Sequence, residues 1–155
     1  MANNDTLRSI RDALNLDDAT MLQIFKEAGR EVGPSTLAAF LKTADEDEYL
    51  PCSNPIMGFF LDGLIIHNRG RKEGAPAQAM PPLAELSNNA ILKKLRIALD
   101  LKEDDLVDIF TLAGKGMAKH ELTALFRKPG NRHYKECPDE LLSGFIQGIG
   151  LRPKD

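Results

Sequence analysis

The feature that most constrains the fold of this chain is an internal repeat. The first part aligns without a gap with the last part at an offset of 85 residues (89 − 4 = 85), with about 17 identical pairs. The identical pairs extend over most of the alignment; examples are Asn4/Asn89, Leu7/Leu92, Phe25/Phe110, Cys52/Cys137 and Gly63/Gly148. Chance would leave about three or four identities in an alignment of this length. The two parts are therefore expected to share one structure, and the fold must be built twice.

Each copy shows four segments with helical periodicity. Leu7, Ile10 and Leu14 recur at the spacing of a helix face, and Asn4 is expected to cap that helix. Asn54 followed by Pro55 is expected to begin the fourth helix as N-cap and first-turn proline. Alternating β-branched runs typical of strands are nearly absent. We predict an all-α protein in which two tandem four-helix repeats pack as a pseudo-two-fold helical bundle.

The repeat also predicts the domain organisation. The segment GRKEGAPAQAMPP, residues 70–82, has no periodicity, so we assign 1–69 to the first repeat, 70–87 to a linker and 88–155 to the second repeat. A unit of about 65 residues is marginally stable alone, so the halves should pack together. Gly63 and Gly148 fall inside the fourth helix of each half, where glycine is costly unless another backbone approaches. The fourth helices are therefore expected to form the contact between halves.

Composition and charge restrict the classes of function. The 155 residues carry 6% aromatics, no Trp and a net charge of −3, which argues against a whole-protein nucleic-acid binder. Charge is uneven: residues 1–66 hold 5 basic and 11 acidic side chains, whereas residues 88–155 hold 12 and 10. Neither a signal peptide nor an apolar run of membrane-spanning length is expected. We predict a cytoplasmic protein with no membrane partner.

Two cysteines occupy matching positions just before the fourth helix of each half. A thiolate at Cys52 or Cys137 would be stabilised by the helix N-terminus, but a small buried residue at a helix–loop junction is the simpler interpretation. The spacing of cysteines and histidines matches no zinc motif. No P-loop, dinucleotide-binding or hydrolase motif is found. The sequence therefore assigns no catalytic, cofactor-binding or metal-binding residue, and no cofactor.

Basic side chains provide the candidate interaction residues. Arg11 and Arg96 occupy matching positions in the first helices. They either bind an anion in a shared cleft or tie the first helix to a carboxylate or to helix C-terminal carbonyls within their own half. Residues 104–135 resemble a helix-turn-helix and collect basic side chains that could contact phosphates. The matching segment of the first half is acidic, which argues against nucleic-acid binding. The candidate interaction or anion-site residues are Arg11, Arg96, Arg127, Lys128 and Arg132.

These motifs resemble a known family. The patterns NN…LR.IR.AL.L, DL..IF..AG, EL.A.FRKP and Y.EC.DELL..FI.G, with RGRKEGAP between the halves, are similar to those of the YehS family. Its members are bacterial proteins of similar length built from a duplicated domain of unknown function. The resemblance implies a bacterial, cytosolic, helical protein and supplies no substrate, cofactor or active-site residue.

The first functional hypothesis is a non-enzymatic, cytosolic helical module that binds a protein partner or itself. The alternative is a nucleic-acid-associated regulatory protein that uses the basic, helix-turn-helix-like segment 104–135. An enzyme acting through the cysteine or arginine pair is a third interpretation.

Overall fold

The computed structural model describes residues 2–70 and 86–152, and these residues form eight helices without a strand. The helices are α1 (Asn3–Leu14), α2 (Asp18–Glu27), α3 (Pro34–Phe40), α4 (Asn54–Arg69), α5 (Asn88–Ala98), α6 (Glu103–Leu112), α7 (Lys119–Leu125) and α8 (Asp139–Leu151). The prediction of an all-α protein is confirmed. Within the described ranges, no helix combines the length and the apolar character needed to cross a membrane.

The two halves repeat helix by helix. Helices α1 to α4 each begin 85 residues before their counterparts α5 to α8 (88 − 3 = 85, 103 − 18 = 85, 119 − 34 = 85, 139 − 54 = 85). Two tandem four-helix repeats are therefore confirmed. The predicted linker, 70–87, lies outside the described residues apart from its ends, Gly70 and 86–87.

The halves are joined by an exchange of helices. Helix α1 packs mainly on α8 of the second half, and α5 packs mainly on α4 of the first half. Within each half, α2 packs on α4 and α6 packs on α8. The centre of the molecule is therefore a bundle of α1, α4, α5 and α8, with α2–α3 and α6–α7 outside it. Each first helix buries its apolar face chiefly against the other half.

The paired helices α4 and α5 run in the same direction. The Lys94 Nζ lies 2.6 Å from the Asp62 carboxylate midway along the pair. Nearer the carboxyl ends, the Asn68 amide donates to the Ala98 carbonyl at 3.1 Å. Arg69 pairs with Asp100 just beyond α5 at 3.0 Å. The contacts thus progress along both helices together, as they do in a parallel pair.

A single hydrophobic core contains residues from both halves. The same aromatic pair occurs twice in it: Phe25 and Phe60 have ring centroids 5.3 Å apart, and Phe110 and Phe145 have centroids 5.1 Å apart. All four rings are fully buried, and tilted aromatic pairs of this kind add to the stabilisation from burial. The halves therefore share one core.

The helix-four glycines mark close contacts, but within each half. A Cβ on Gly63 would lie 2.0 Å from the Ile24 carbonyl oxygen, and one on Gly148 would lie 2.3 Å from that of Ile109. The sequence correctly predicted a close backbone, but α2 and α6 provide it instead of the other half. Helices α4 and α8 do contact the other half, through a different face; Gly150 of α8 lies against the Ala13 backbone of α1.

Asn4 has a different role from the predicted N-cap. Helix α1 is preceded by Ala2, and Asn4 lies inside the first turn at 2% exposure. Its amide donates to the carbonyls of Phe40 and Leu50 at 3.0 and 2.8 Å, and its carbonyl accepts from the Cys52 N–H at 3.0 Å. Asn4 therefore ties the start of α1 to the end of α3 and to the loop before α4. The cap of α4 is Ser53, one residue before the predicted Asn54.

Candidate functional site

Asn89 repeats the tie of Asn4 and thereby positions a basic loop. Its amide donates to the carbonyls of Leu125 and Lys135 at 2.9 and 2.8 Å, and its carbonyl accepts from the Cys137 N–H at 2.9 Å. The segment between α7 and α8 is thus held beside the start of α5. That segment carries Arg127, Lys128 and Arg132, three of the predicted interaction residues.

The structure brings Arg127 and Lys128 together with Lys93 along one cleft. This cleft, which we call the Lys93 cleft, has a volume of about 220 Å³; its lining residues are Ser87, Asn89, Ala90, Lys93, Leu125, Phe126, Arg127, Lys128, Pro129 and Tyr134. Lys93, Arg127 and Lys128 are exposed. Among the described residues, no carboxylate lies within salt-bridge distance of these three cations. Within the described part of the chain, no salt bridge neutralises their positive charge.

A second, wider depression adjoins the Lys93 cleft and shares Arg127 with it. It measures about 530 Å³ and is lined by His120, Glu121, Thr123, Ala124, Arg127, His133 and Lys135. Glu121 is the acidic member, and its carboxylate accepts the Ala118 N–H at 3.0 Å. Arg132 lies at the edge, where its Nε donates to His133 Nε2 at 3.3 Å. We call Lys93, Arg127, Lys128, Arg132 and Lys135 the basic surface.

At the equivalent place in the first half, the cations are paired with carboxylates. Arg8 occupies the position of Lys93, and its guanidinium pairs with Asp5 and donates to the Lys42 carbonyl at 2.9 Å. Lys42 occupies the position of Arg127, and its ammonium lies 3.7 Å from the Glu48 carboxylate. Both halves therefore have cations here, and within residues 2–70 and 86–152 the first half alone supplies carboxylates that pair with them.

Lys93 was missed by the sequence interpretation. It is separated from Arg127 by the whole of α6 and α7, so composition within a window cannot associate the two. The signal that would have found it is the repeat alignment, because Lys93 falls on Arg8 and both are cations. The loss of the counter-charge at Ala90, which falls on Asp5, was visible in the same alignment.

Arg11 and Arg96 each contact a group of their own half. The Arg11 side chain pairs with the neighbouring Asp12 at 3.1 Å. The Arg96 Nε donates to the Leu101 carbonyl at 3.2 Å, and its guanidinium lies 5.0 Å from the centroid of the Phe126 ring. Arg96 thus ties α5 to the connection between α5 and α6. Each arginine is therefore engaged by a group of its own half.

The two cysteines are buried free thiols. Cys52 and Cys137 are 6% and 5% exposed. Burial raises the pKa of the Cys52 thiol to about 12. Burial, followed by the charge of Asp139, raises that of Cys137 to about 11. Both thiols are therefore protonated near neutrality, and this state favours packing over nucleophilic chemistry. Within the described ranges, no three histidine, cysteine or acidic side chains converge as metal ligands do.

An open groove lies between α1 and α8, whereas an ion pair fills the equivalent place between α4 and α5. The groove has a volume of about 440 Å³ and is lined by Ser9, Asp12, Ala13, Ser143, Ile146 and Gln147. Between α4 and α5, the places of Ser9 and Gln147 are taken by the ion pair of Lys94 and Asp62. The carboxylate in the open groove, Asp12, is already paired with Arg11. The groove therefore offers small polar groups and one neutralised acid.

The geometry of α6 and α7 departs from a helix-turn-helix. Six residues, 113–118, separate the two helices, and α7 has 7 residues. The DNA-binding motif joins its helices through a turn of about three or four residues. A seven-residue helix spans about 10 Å, so it would place few side chains along a groove.

Comparison with known proteins agrees with the duplication seen in the fold. The model of a protein family of unknown function (DUF1456) matches residues 3–70 and again residues 88–154. The uncharacterized protein YehS of Escherichia coli (strain K12) is 36% identical over 152 residues, which cover 98% of this chain and 96% of that protein. No solved structure matches. The chain therefore belongs to the DUF1456 family, whose domain of unknown function it carries twice.

Proposed function

We propose that this chain is a non-enzymatic, cytoplasmic interaction module that binds an acidic protein partner through the basic surface of its second half. The observation that carries the proposal is the difference between the halves. Arg8 and Lys42 are paired with carboxylates. Their counterparts Lys93 and Arg127, together with Lys128, line a cleft where no carboxylate of the described residues pairs with them. Cations clustered on one surface of a protein of net charge −3 steer and orient acidic partners.

A binding role is supported over catalysis by the state of the candidate nucleophiles. Burial raises the pKa of both cysteine thiols. The arginine pair is engaged separately in each half. A protein partner is supported over nucleic acid by the short α7 and its six-residue connection to α6. The acidic loop of the first half, Asp45 to Glu48, would also repel a phosphate backbone that extended over both halves.

The proposal is tested by affinity capture from bacterial lysate with matched charge variants. Arg127→Glu combined with Lys128→Glu reverses two charges on the basic surface. Lys26→Glu combined with Arg30→Glu makes the same charge change on exposed residues of the first half. We expect proteins captured by wild type at low salt to be retained by the control pair, lost with the basic-surface pair, and unaffected by nuclease treatment.

Equal capture by the two variants would contradict the basic surface as the docking face. Binding to a 20-bp DNA duplex of random sequence provides the second arm, measured by fluorescence anisotropy. A steep dependence of DNA affinity on salt, together with nuclease-sensitive capture, would contradict a protein partner and favour the nucleic-acid alternative.

A further inference from the structure

We propose that the Lys93 cleft binds a carboxylate-rich peptide segment of the partner protein, an inference that rests on the proposed function. The carboxylates of the segment take the places that Asp5 and Glu48 occupy in the first half. The internal repeat supplies the template, because the same backbone arrangement occurs once with its anions and once without them.

The template is the first half. There the guanidinium of Arg8 bridges α1 to the end of α3 by donating to the Lys42 carbonyl at 2.9 Å, while the Asp5 carboxylate pairs with it from the preceding turn. The ammonium of Lys42 has two oxygen partners, the Asp47 carbonyl at 3.0 Å and the Glu48 carboxylate at 3.7 Å. Two cations and two carboxylates thus form one charged cluster.

The second half keeps the cations and replaces both carboxylates. At an offset of 85, Arg8 becomes Lys93 and Lys42 becomes Arg127, whereas Asp5 becomes Ala90 and Glu48 becomes His133. The space beside Ala90 belongs to the Lys93 cleft, and His133 lines the adjoining depression. Two positions that hold anions in one copy are therefore vacated next to cations that persist.

The lining of the cleft suits an acidic side chain. Lys93, Arg127 and Lys128 provide charged donors, and Tyr134 provides a hydroxyl; Leu125, Phe126 and Pro129 form an apolar wall against which the methylene groups of Glu can pack. Burial, followed by the charge of Glu136, raises the pKa of Tyr134, so its hydroxyl stays protonated and can donate. Donors above an apolar wall are the arrangement expected of a site for charged side chains with aliphatic stems.

Several carboxylates are needed for useful affinity. A single exposed ion pair contributes little to binding affinity because water and salt screen it. A segment with clustered Asp and Glu can engage Lys93 and Arg127 together and extend toward Lys135. The acidic neighbours Glu121 and Glu136 disfavour a longer uninterrupted anion, such as a nucleic-acid strand, over a short acidic segment.

The test uses the full chain and a synthetic nonapeptide of alternating Glu and Asp, with binding measured by calorimetry and mapped by amide chemical shifts. Ala90→Asp restores the carboxylate of the first half without removing a cation. Because residue 90 lies in the first turn of α5, an acid there favours folding. We expect Ala90→Asp to weaken peptide binding at least tenfold. Ala90→Asn and Thr111→Asp, which control for size and for net charge, should change it less than twofold.

A gain of function completes the test. The residues at the matching first-half positions are changed toward the charge pattern of the second half: Asp5→Ala, Thr43→Lys, Asp45→Asn, Glu46→Gln, Asp47→Asn and Glu48→His. We expect a second peptide site, with stoichiometry rising from one to two. Wild-type affinity in Ala90→Asp, or saturable binding of inorganic phosphate or duplex DNA in the cleft without peptide binding, would overturn the inference. Failure of the proposed function is distinguishable: lysate capture would then be insensitive to Arg127→Glu with Lys128→Glu even where the peptide binds.

Discussion

At the scale of single residues, two asparagines decide where the loops between the third and fourth helices lie. Asn4 and Asn89 are nearly fully buried, and each makes hydrogen bonds to the end of the third helix and to the residues before the fourth. The sequence predicted Asn4 as an N-cap because asparagine is favoured there. Periodicity alone cannot distinguish a cap from a buried tie, since the difference depends on which distant carbonyls lie within reach.

Replacing one of these asparagines should be costly. Asn4→Ala leaves the Phe40 and Leu50 carbonyls and the Cys52 N–H without their side-chain partner. Each buried polar group left without a hydrogen-bond partner costs roughly 1–3 kcal/mol. We expect the free energy of unfolding to fall by about 3 kcal/mol in urea denaturation. Asn131→Ala, at an exposed position, is the control and should change it by less than about 1 kcal/mol. Similar losses for both variants would contradict the tie.

Thiol chemistry gives a second prediction at this scale. Because burial raises the pKa of the Cys52 and Cys137 thiols to about 12 and about 11, the thiolate is scarce in the folded protein at pH 8. Unfolding returns the thiols to an ordinary pKa of about 8.5. We expect Ellman's reagent to label neither cysteine rapidly in the native protein and both in 6 M guanidinium. Rapid native labelling of either thiol would show that it is accessible and reactive.

At the scale of elements, glycine sets the distance between the second and fourth helices of each half. The sequence predicted both glycines as close contacts, since a helix retains a costly residue twice only where a backbone is near. It assigned the wrong neighbour because spacing within one helix carries no information about which helix crosses it. The contact lies between α2 and α4, and again between α6 and α8.

Adding one methyl group at this crossing should separate the helices. In Gly63→Ala the new Cβ would fall 2.0 Å from the Ile24 carbonyl oxygen, so α2 must move. We expect a loss of about 2–4 kcal/mol, which outweighs the roughly 1 kcal/mol that alanine gains as a helix former. Gly116→Ala, whose nearest neighbour atom is 4.0 Å away, should be close to neutral. A stabilised Gly63→Ala protein in thermal melts would show that the crossing is not tight.

At the scale of the whole molecule, the repeat and its helices were predictable, whereas the exchange between halves was not. Apolar spacing identifies eight helices and the offset of 85 relates them. A sequence does not reveal that α1 prefers α8 to α4, because both have apolar faces of similar character. The Lys93 cleft was missed for a related reason: it depends on bringing α5 beside the segment after α7.

The exchange predicts how separated halves behave. A fragment 1–70 lacks α8 for its first helix, and a fragment 86–155 lacks α4, so each exposes apolar surface that a unit of this size cannot leave in water. We expect the mixed fragments to form a one-to-one complex whose helical circular dichroism exceeds the sum of the separate fragments. Mass photometry or native mass spectrometry gives the stoichiometry. Two monomeric, cooperatively folding fragments would contradict the shared core.

The parallel pairing of α4 with α5, with α1 packed on α8 at the equivalent place, is the arrangement of two identical subunits related by a two-fold axis. In such a dimer Asp5 and Ala90 would be encoded by one codon, so an acid gained or lost at that place would change both subunits at once. Translating both copies as one polypeptide removes that restriction. One copy can then keep its internal carboxylates while the other loses them, so the two halves of the molecule come to differ in surface charge.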